Sequence, residues 1–210
     1  MMNTQQAYNE WSQQYDTNDN KTRDLEALAI RDVLQQISFK SVLEIGCGTG
    51  KNTEWFATKA SSVTAVDFSE GMLAFAKQKI KSTSVAFQQA DITQTWQFLN
   101  LNYDLISFSL VLEHIQDLDF IFQQASFYLR NGGYIFIGEL HPFKQYAGGK
   151  ARFETANGIQ IVPCFNHNIS DFIQSAKKYN FSVADVNEYF DDNDRTSTPR
   201  ILTLLLQKHD

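Results

Sequence analysis

The stretch Val42-Leu43-Glu44-Ile45-Gly46-Cys47-Gly48-Thr49-Gly50 constrains this chain more than any other. A short apolar run carrying one acid meets three glycines at alternate positions, and Lys51 to Ala60 then reads as a helix. Strand, glycine turn and helix form the place where an open α/β sheet holds a nucleotide-like ligand. Glycine has no Cβ, so it adopts positive φ and lets backbone approach a ligand closely.

The rest of the chain repeats that alternation. Strands are predicted at Lys40–Ile45, Val63–Val66, Val85–Gln88, Asp104–Phe108 and Tyr134–Gly138. Between and before them, helical periodicity covers Thr22–Ile37, Glu70–Lys81 behind a Ser69 cap, and about Leu118–Leu129, ended by the turn Asn131-Gly132-Gly133. Short apolar strands separated by helices imply a parallel, doubly wound sheet with helices on both faces. After His141 the pattern changes. Asn157-Gly158 signals a hairpin, Ser170 is placed to cap a helix to Tyr179, and Val183–Phe190 with Ile201–Lys208 read as an antiparallel pair at a sheet edge. About seven strands in one Rossmann-like sheet, plus a small hairpin cap, are expected.

At 210 residues, one domain with a full core is expected. Its first 37 residues would be N-terminal helices serving as a lid, with Tyr8, Trp11 and Tyr15 on one helical face. Residues 142–166 would be a cap insertion. Against 24 acidic residues stand 18 basic ones, a net charge of −6, which argues against nucleic acid as a partner. Cys47 and Cys164 match no metal-ligand spacing, and the four histidines are scattered, so no metal is expected. The polar start MMNTQQAYNEW is unlike a signal peptide, and no apolar run approaches the ~18 residues that span a membrane. A cytoplasmic protein, monomer or homodimer, is the expectation.

Two ligands compete for the glycine turn. A dinucleotide fingerprint places its third glycine where Lys51 stands, one residue later than Gly50. Lys51 is followed by Asn52, so no phosphate-binding loop is present. A nicotinamide-dependent oxidoreductase therefore stands as the alternative. The ordered set VLEIGCGTG, VTAVDFSEGML, QQADI, YDLISFSLVLEHI and LRNGGYIFIGE resembles the class I S-adenosylmethionine-dependent methyltransferases of small-molecule type, closely over residues 40 to 140.

That resemblance implies S-adenosylmethionine as cofactor and a small-molecule methyl acceptor with an O, N or C nucleophile. Gly46, Cys47, Gly48 and Gly50 would wrap its methionine and ribose part, with Glu44 reaching the methionine end through water. Asp67 would accept the ribose hydroxyls and Asp91, beside Ile92, the adenine amino group. Phe68 and Met72 are suited to flank the adenine or simply to pack. Ser109 and Leu110 would offer backbone oxygen to the ammonium group. Tyr15 and Arg23 would close over the cofactor from the N-terminal segment, Arg23 pairing with the methionine carboxylate. A hydroxyl or protonated amine needs a base, and Glu113, His114, Glu139 and His141 follow strands four and five where one is needed. Phe143, Tyr146, Phe153 and Phe165 offer aromatic walls for the acceptor. A protein that binds the cofactor without turnover shares this pattern too.

Overall fold

Strand β1 (Ser41–Ile45) is buried almost throughout because it lies inside the sheet with a strand on each side and its alternate residues enter two different cores. Leu43 and Ile45 face one apolar layer, Val42 the other. The computed structural model describes residues 3–99, 102–155 and 158–210. Parallel to β1 run β2 (Ser62–Asp67) on one side and β4 (Tyr103–Ser109) on the other. Outside them lie β3 (Val85–Gln89) and β5 (Leu129–Leu140). The hairpin β6 (Arg152–Thr155) and β7 (Gly158–Ile161) stands apart as a second, two-stranded sheet. The chain returns through β8 (Phe181–Tyr189) and β9 (Ile201–Lys208), giving the order β3-β2-β1-β4-β5-β9-β8. Strand β9 is antiparallel to both β5 and β8, so the expected antiparallel edge is present.

Helices α2 (Lys21–Leu34), α3 (Lys51–Lys59) and α4 (Glu70–Lys79) follow the motif signals closely. Ile30, Leu34, Phe56 and Leu73 from them fill one layer with Val42, Leu105 and Phe136. On the other face α5 (Leu118–Tyr128) and α7 (Ile169–Lys177) bring Ile121, Phe122, Phe172 and Ala176 against Ile106, Ile135 and Leu204. Each such aliphatic or aromatic side chain contributes about 1.5–3 kcal/mol by leaving water. Trp96, fully buried in that layer, donates its indole N–H to the Ile92 carbonyl (2.9 Å).

Three local expectations are corrected. Helix α1 (Thr4–Trp11) ends before Tyr15; Ser12 still donates its N–H to the Tyr8 carbonyl, and the chain then passes into a series of hydrogen-bonded turns that carry Tyr15. The Asn131-Gly132-Gly133 segment does not stop a helix. It lies inside β5, where Tyr103 pairs with Leu129 and Leu105 with Tyr134, so residues 130–133 bulge opposite Asp104. Ser170 is already inside α7. Asn168 precedes the helix, and its N–H donates to Asp171 Oδ2 at 2.7 Å. Asn157 of the hairpin turn lies outside the described residues.

Helix α1 rests directly on α4. A Cβ on Gly71 would lie 2.8 Å from Ser12 Oγ and 3.1 Å from the Asn9 carbonyl oxygen. Asn9 Oδ1 accepts from Ser69 Oγ (2.7 Å) and the Gly71 N–H (3.1 Å). Trp11 stacks on Phe153 of the hairpin, with centroids 5.2 Å apart and planes 13° from parallel.

Candidate active site

The strand order reverses between β1 and β4, where connections leave toward opposite sides and a crevice opens at the carboxyl ends of the strands. The glycine turn forms one wall. Gly46 and Cys47 donate their N–H groups to the Val66 carbonyl (2.7 and 3.0 Å), tying the turn to the end of β2. Gly46 has φ +72°, and a Cβ there would sit 2.0 Å from Val111 Cγ2. Gly48, at φ +55°, is different: a Cβ there meets nothing within 4 Å. One glycine lets the loop after β4 pack; the other faces open space.

That space is a cleft of about 370 Å³. Asp67 lies on it at the end of β2, its Oδ2 accepting the Gly48 N–H (2.7 Å) and its Oδ1 the Ser69 N–H (2.8 Å). Burial pushes the Asp67 carboxyl up, and those backbone N–H groups pull it back. Asp91 Oδ1 accepts from the Thr93 N–H (2.9 Å) and hydroxyl (2.7 Å), while Oδ2 has no partner among the described residues. Ile92 and Met72 are buried against the cleft, and Phe68 is 39% exposed there. Tyr15, Ser109 and Leu110 also line it. Leu110 takes φ +57°, uncommon for a branched side chain, and its N–H donates to the Gly138 carbonyl (2.8 Å).

Four residues expected around the cofactor do not line the cleft. Glu44 is 3% exposed, its Oε2 taking the Thr53 hydroxyl of α3 at 2.5 Å, and burial raises its carboxyl to about 8. Cys47 packs into the α3-side core, where burial pushes its thiol well up. Gly50 serves packing: a Cβ would meet Ile80 Cδ1 at 2.7 Å. Arg23 is spent on the turn between α1 and α2. Its guanidinium donates to the Tyr15 and Asn18 carbonyls, and its Nε to Asp24 Oδ1 at 2.8 Å.

The acceptor-side expectations divide more sharply. His114 lines the cleft; Glu139, His141, Phe143, Tyr146 and Phe165 do not. His141 is fully buried beyond β5, its Nδ1 accepting the Phe143 N–H (3.1 Å) as cap of α6 (Pro142–Tyr146), its Nε2 meeting Glu188 Oε1 at 2.9 Å. Burial lowers its pKa, against the pull of Glu188. Phe143 and Tyr146 sit on α6, 57% and 62% exposed and away from the cleft lining. Phe165 is held by its N–H to the Glu113 carbonyl (2.7 Å). Glu139 Oε1 accepts the N–H groups of Val111 and Leu112 (2.9 and 2.8 Å), so it shapes the loop after β4. Burial, with Glu113 nearby, raises Glu139 to about 8.

Sequence reasoning missed Tyr8 as a site residue. Its hydroxyl lies 2.8 Å from His114 Nε2, and with Asn3, Thr4 and Gln5 it brings α1 over the cleft. Among the described residues, no group of three or more His, Cys, Asp or Glu side chains could hold a metal ion, and no helix is long and apolar enough to cross a membrane.

The arrangement suits an adenosyl group whose linker carries no phosphate. It offers two carboxylates at successive strand ends, open space at Gly48 and no lysine-bearing phosphate loop. Comparison with known proteins points the same way. Residues 43–137 match a family described as "Methyltransferase domain". An uncharacterized methyltransferase of Emericella nidulans is 26% identical, over 88% of this chain and 77% of its own length. A ubiquinone biosynthesis O-methyltransferase of Hydrogenovibrio crunogenus is 28% identical over 68% of this chain; the match spans 60% of that relative. The fold matches that of the N-methyltransferase NodS from Bradyrhizobium japonicum in complex with S-adenosyl-L-homocysteine, with a TM-score of 0.75, 18% identity and full coverage of both chains. With a methyltransferase domain matched over residues 43–137, this sheet and a cleft at its switch point lined by Asp67 and Asp91, the findings support a class I S-adenosylmethionine-dependent methyltransferase.

Proposed function

We propose that this methyltransferase acts on a small molecule, with the cofactor lying along the cleft from Asp91 to the loop after β4. Asp67 would take the ribose hydroxyls, since its two oxygens are already aimed by the N–H groups of Gly48 and Ser69. Asp91 would receive the adenine amino group on its free Oδ2, with Phe68, Met72 and Ile92 against the ring. The turn at Gly46 and Gly48, with backbone oxygen at Ser109 and Leu110, would hold the methionine part. Glu44, Gly50 and Arg23 act behind these groups by fixing α3 and the α1–α2 turn. When bound, S-adenosylmethionine supplies a methyl group on a good leaving group, so the protein's task is alignment, exclusion of water and handling of any proton. Helix α1 lies over the cleft and serves the second task. A net charge of −6 speaks against RNA as acceptor, and the buried free thiol of Cys47 suits the reducing cytoplasm.

The Asp67–Gly48 contact beside open space carries the cofactor assignment. Calorimetric titration tests it: S-adenosylhomocysteine should bind in a one-to-one ratio, and Asp67→Ala should weaken it. Binding of NAD in its place, or undiminished affinity in Asp67→Ala, would overturn it. Thermal stabilisation by the same ligands gives an independent reading.

A further inference from the structure

We propose that Tyr8 and His114 form a proton relay at the acceptor end of the cleft, and that the methyl acceptor is an aromatic hydroxyl compound. The inference rests on the small-molecule reading above and deepens it. His114 Nδ1 lies 2.8 Å from the Pro163 carbonyl oxygen, which can only accept, so in the neutral ring the proton is on Nδ1. Nε2 is then a bare lone pair, and the Tyr8 hydroxyl 2.8 Å away donates to it. With its proton committed to His114, the Tyr8 oxygen can only accept from whatever enters the cleft. An incoming X–H group is thereby met by an acceptor connected to a base.

The relay is held rigidly. The Tyr8 ring stacks on Trp11, with centroids 5.6 Å apart, and meets the His114 ring edge-on at 5.4 Å. Cap residues 163 and 165 bond to His114 and its neighbour Glu113, fixing the imidazole from the far side. Glu113 Oε1 stands 3.8 Å from His114 Nε2, and burial pushes its carboxyl up, so a carboxyl group that an imidazolium would help to ionise lies beside the ring.

The acceptor oxygen uses an electron pair to bond the methyl carbon as the carbon–sulfur bond breaks, that bonding pair staying on sulfur. The hydroxyl proton passes to Tyr8 as the Tyr8 proton passes to His114, and solvent later removes it. Tyr8 ends neutral. Phenols and imidazoles differ by roughly 3.5 pKa units in water, a gap that closes as the oxygen bonds carbon. Aliphatic alcohols lie much further away, and a free-base amine needs no base. Beside His114, the apolar side chains of Val111 and Ile115 on the cleft suit a planar ring.

Histidine-ring nitrogen NMR on the protein saturated with S-adenosylhomocysteine tests the relay. His114 should show Nδ1 protonated and Nε2 bare, and Tyr8→Phe should shift the Nε2 signal. A protonated Nε2, or one indifferent to Tyr8→Phe, overturns it. The acceptor class is tested with 4-nitrocatechol, whose absorbance reports ionisation of its hydroxyl. The wild-type complex should bind it and lower its apparent pKa by about one unit, and Tyr8→Phe and His114→Gln should lose that shift while binding the un-ionised compound, at a pH well below its pKa, within about threefold. Absent binding, or an equal shift in both variants, overturns the aromatic hydroxyl. Calorimetry with S-adenosylhomocysteine on the same samples separates the two readings: no binding is failure of the cofactor site, and normal binding with a silent ring is failure of the relay alone.

Discussion

At one end of the cleft, Asp67 is held by the N–H groups of residues two and nineteen positions away, on elements that follow one another in the chain. At the other, Tyr8 meets His114 across 106 residues, and a carbonyl of the cap sets the imidazole. The first end is made of backbone donors and one carboxylate, so it tolerates wide change in the surrounding side chains. The second depends on three segments arriving together, α1, the turn after β4 and the cap. In the proposed reading, the end that holds the cofactor has a local frame and the end that meets the acceptor has an assembled one.

The sharpest way to break this contrast is at the glycines. Gly46→Ala, with a positive φ and a 2.0 Å approach to Val111, should destabilise the fold by about 3 kcal/mol or more in denaturant titration. Gly48→Ala meets no protein atom and should cost about 1–2 kcal/mol of stability from its φ alone, yet weaken S-adenosylhomocysteine binding. Next in size, Asp67→Ala should raise the dissociation constant for S-adenosylhomocysteine about a hundredfold, while Tyr8→Phe should change it less than about threefold. If Tyr8→Phe weakens the cofactor as much as Asp67→Ala does, the two ends are one site.

A smaller effect is set by pH. Glu44 and Glu139, both raised by burial to about 8, keep protons in the folded protein that the unfolded chain has released. The unfolded state binds fewer protons over that range, so stability is greatest below the ordinary glutamate value and falls as pH rises from about 4.5 through about 8. Melting temperature measured from pH 6 to 8 should fall less steeply in Glu139→Gln than in wild type, by the equivalent of about 1–2 kcal/mol over the interval. An unchanged slope would show that the carboxyl is ionised in the fold. The smallest effect concerns the lid: Phe153→Leu removes the Trp11 stack and should cost about 1 kcal/mol, seen as faster amide exchange confined to α1 and the hairpin.

Most of the frame was legible in sequence because it is written locally. Alternation of apolar strand and helix located the sheet, and a carboxylate ending a strand located Asp67. His141 misled for an equally physical reason. Position after a strand places a residue near the cleft without saying which way it turns, and Pro142 drew His141 into capping α6. Tyr8 carried the opposite deception. Its spacing with Trp11 and Tyr15 spoke of packing, and it does pack; only a partner far along the chain gives its hydroxyl a task. Arg23 was read as a ligand of the cofactor and instead ties off the turn carrying Tyr15.

Gly71 bears on the traffic of molecules through this site. Helix α1 is seated on α4 with clearance for a hydrogen atom and nothing larger, so the hatch over the cleft shuts flush. A single methyl group there would act as a wedge, lifting α1 from α4 and drawing the Tyr8 hydroxyl away from His114. Spent cofactor would escape sooner and water would leak in, while the proton path to His114 lengthened, so one methyl group beside the cleft wall would trade retention for access.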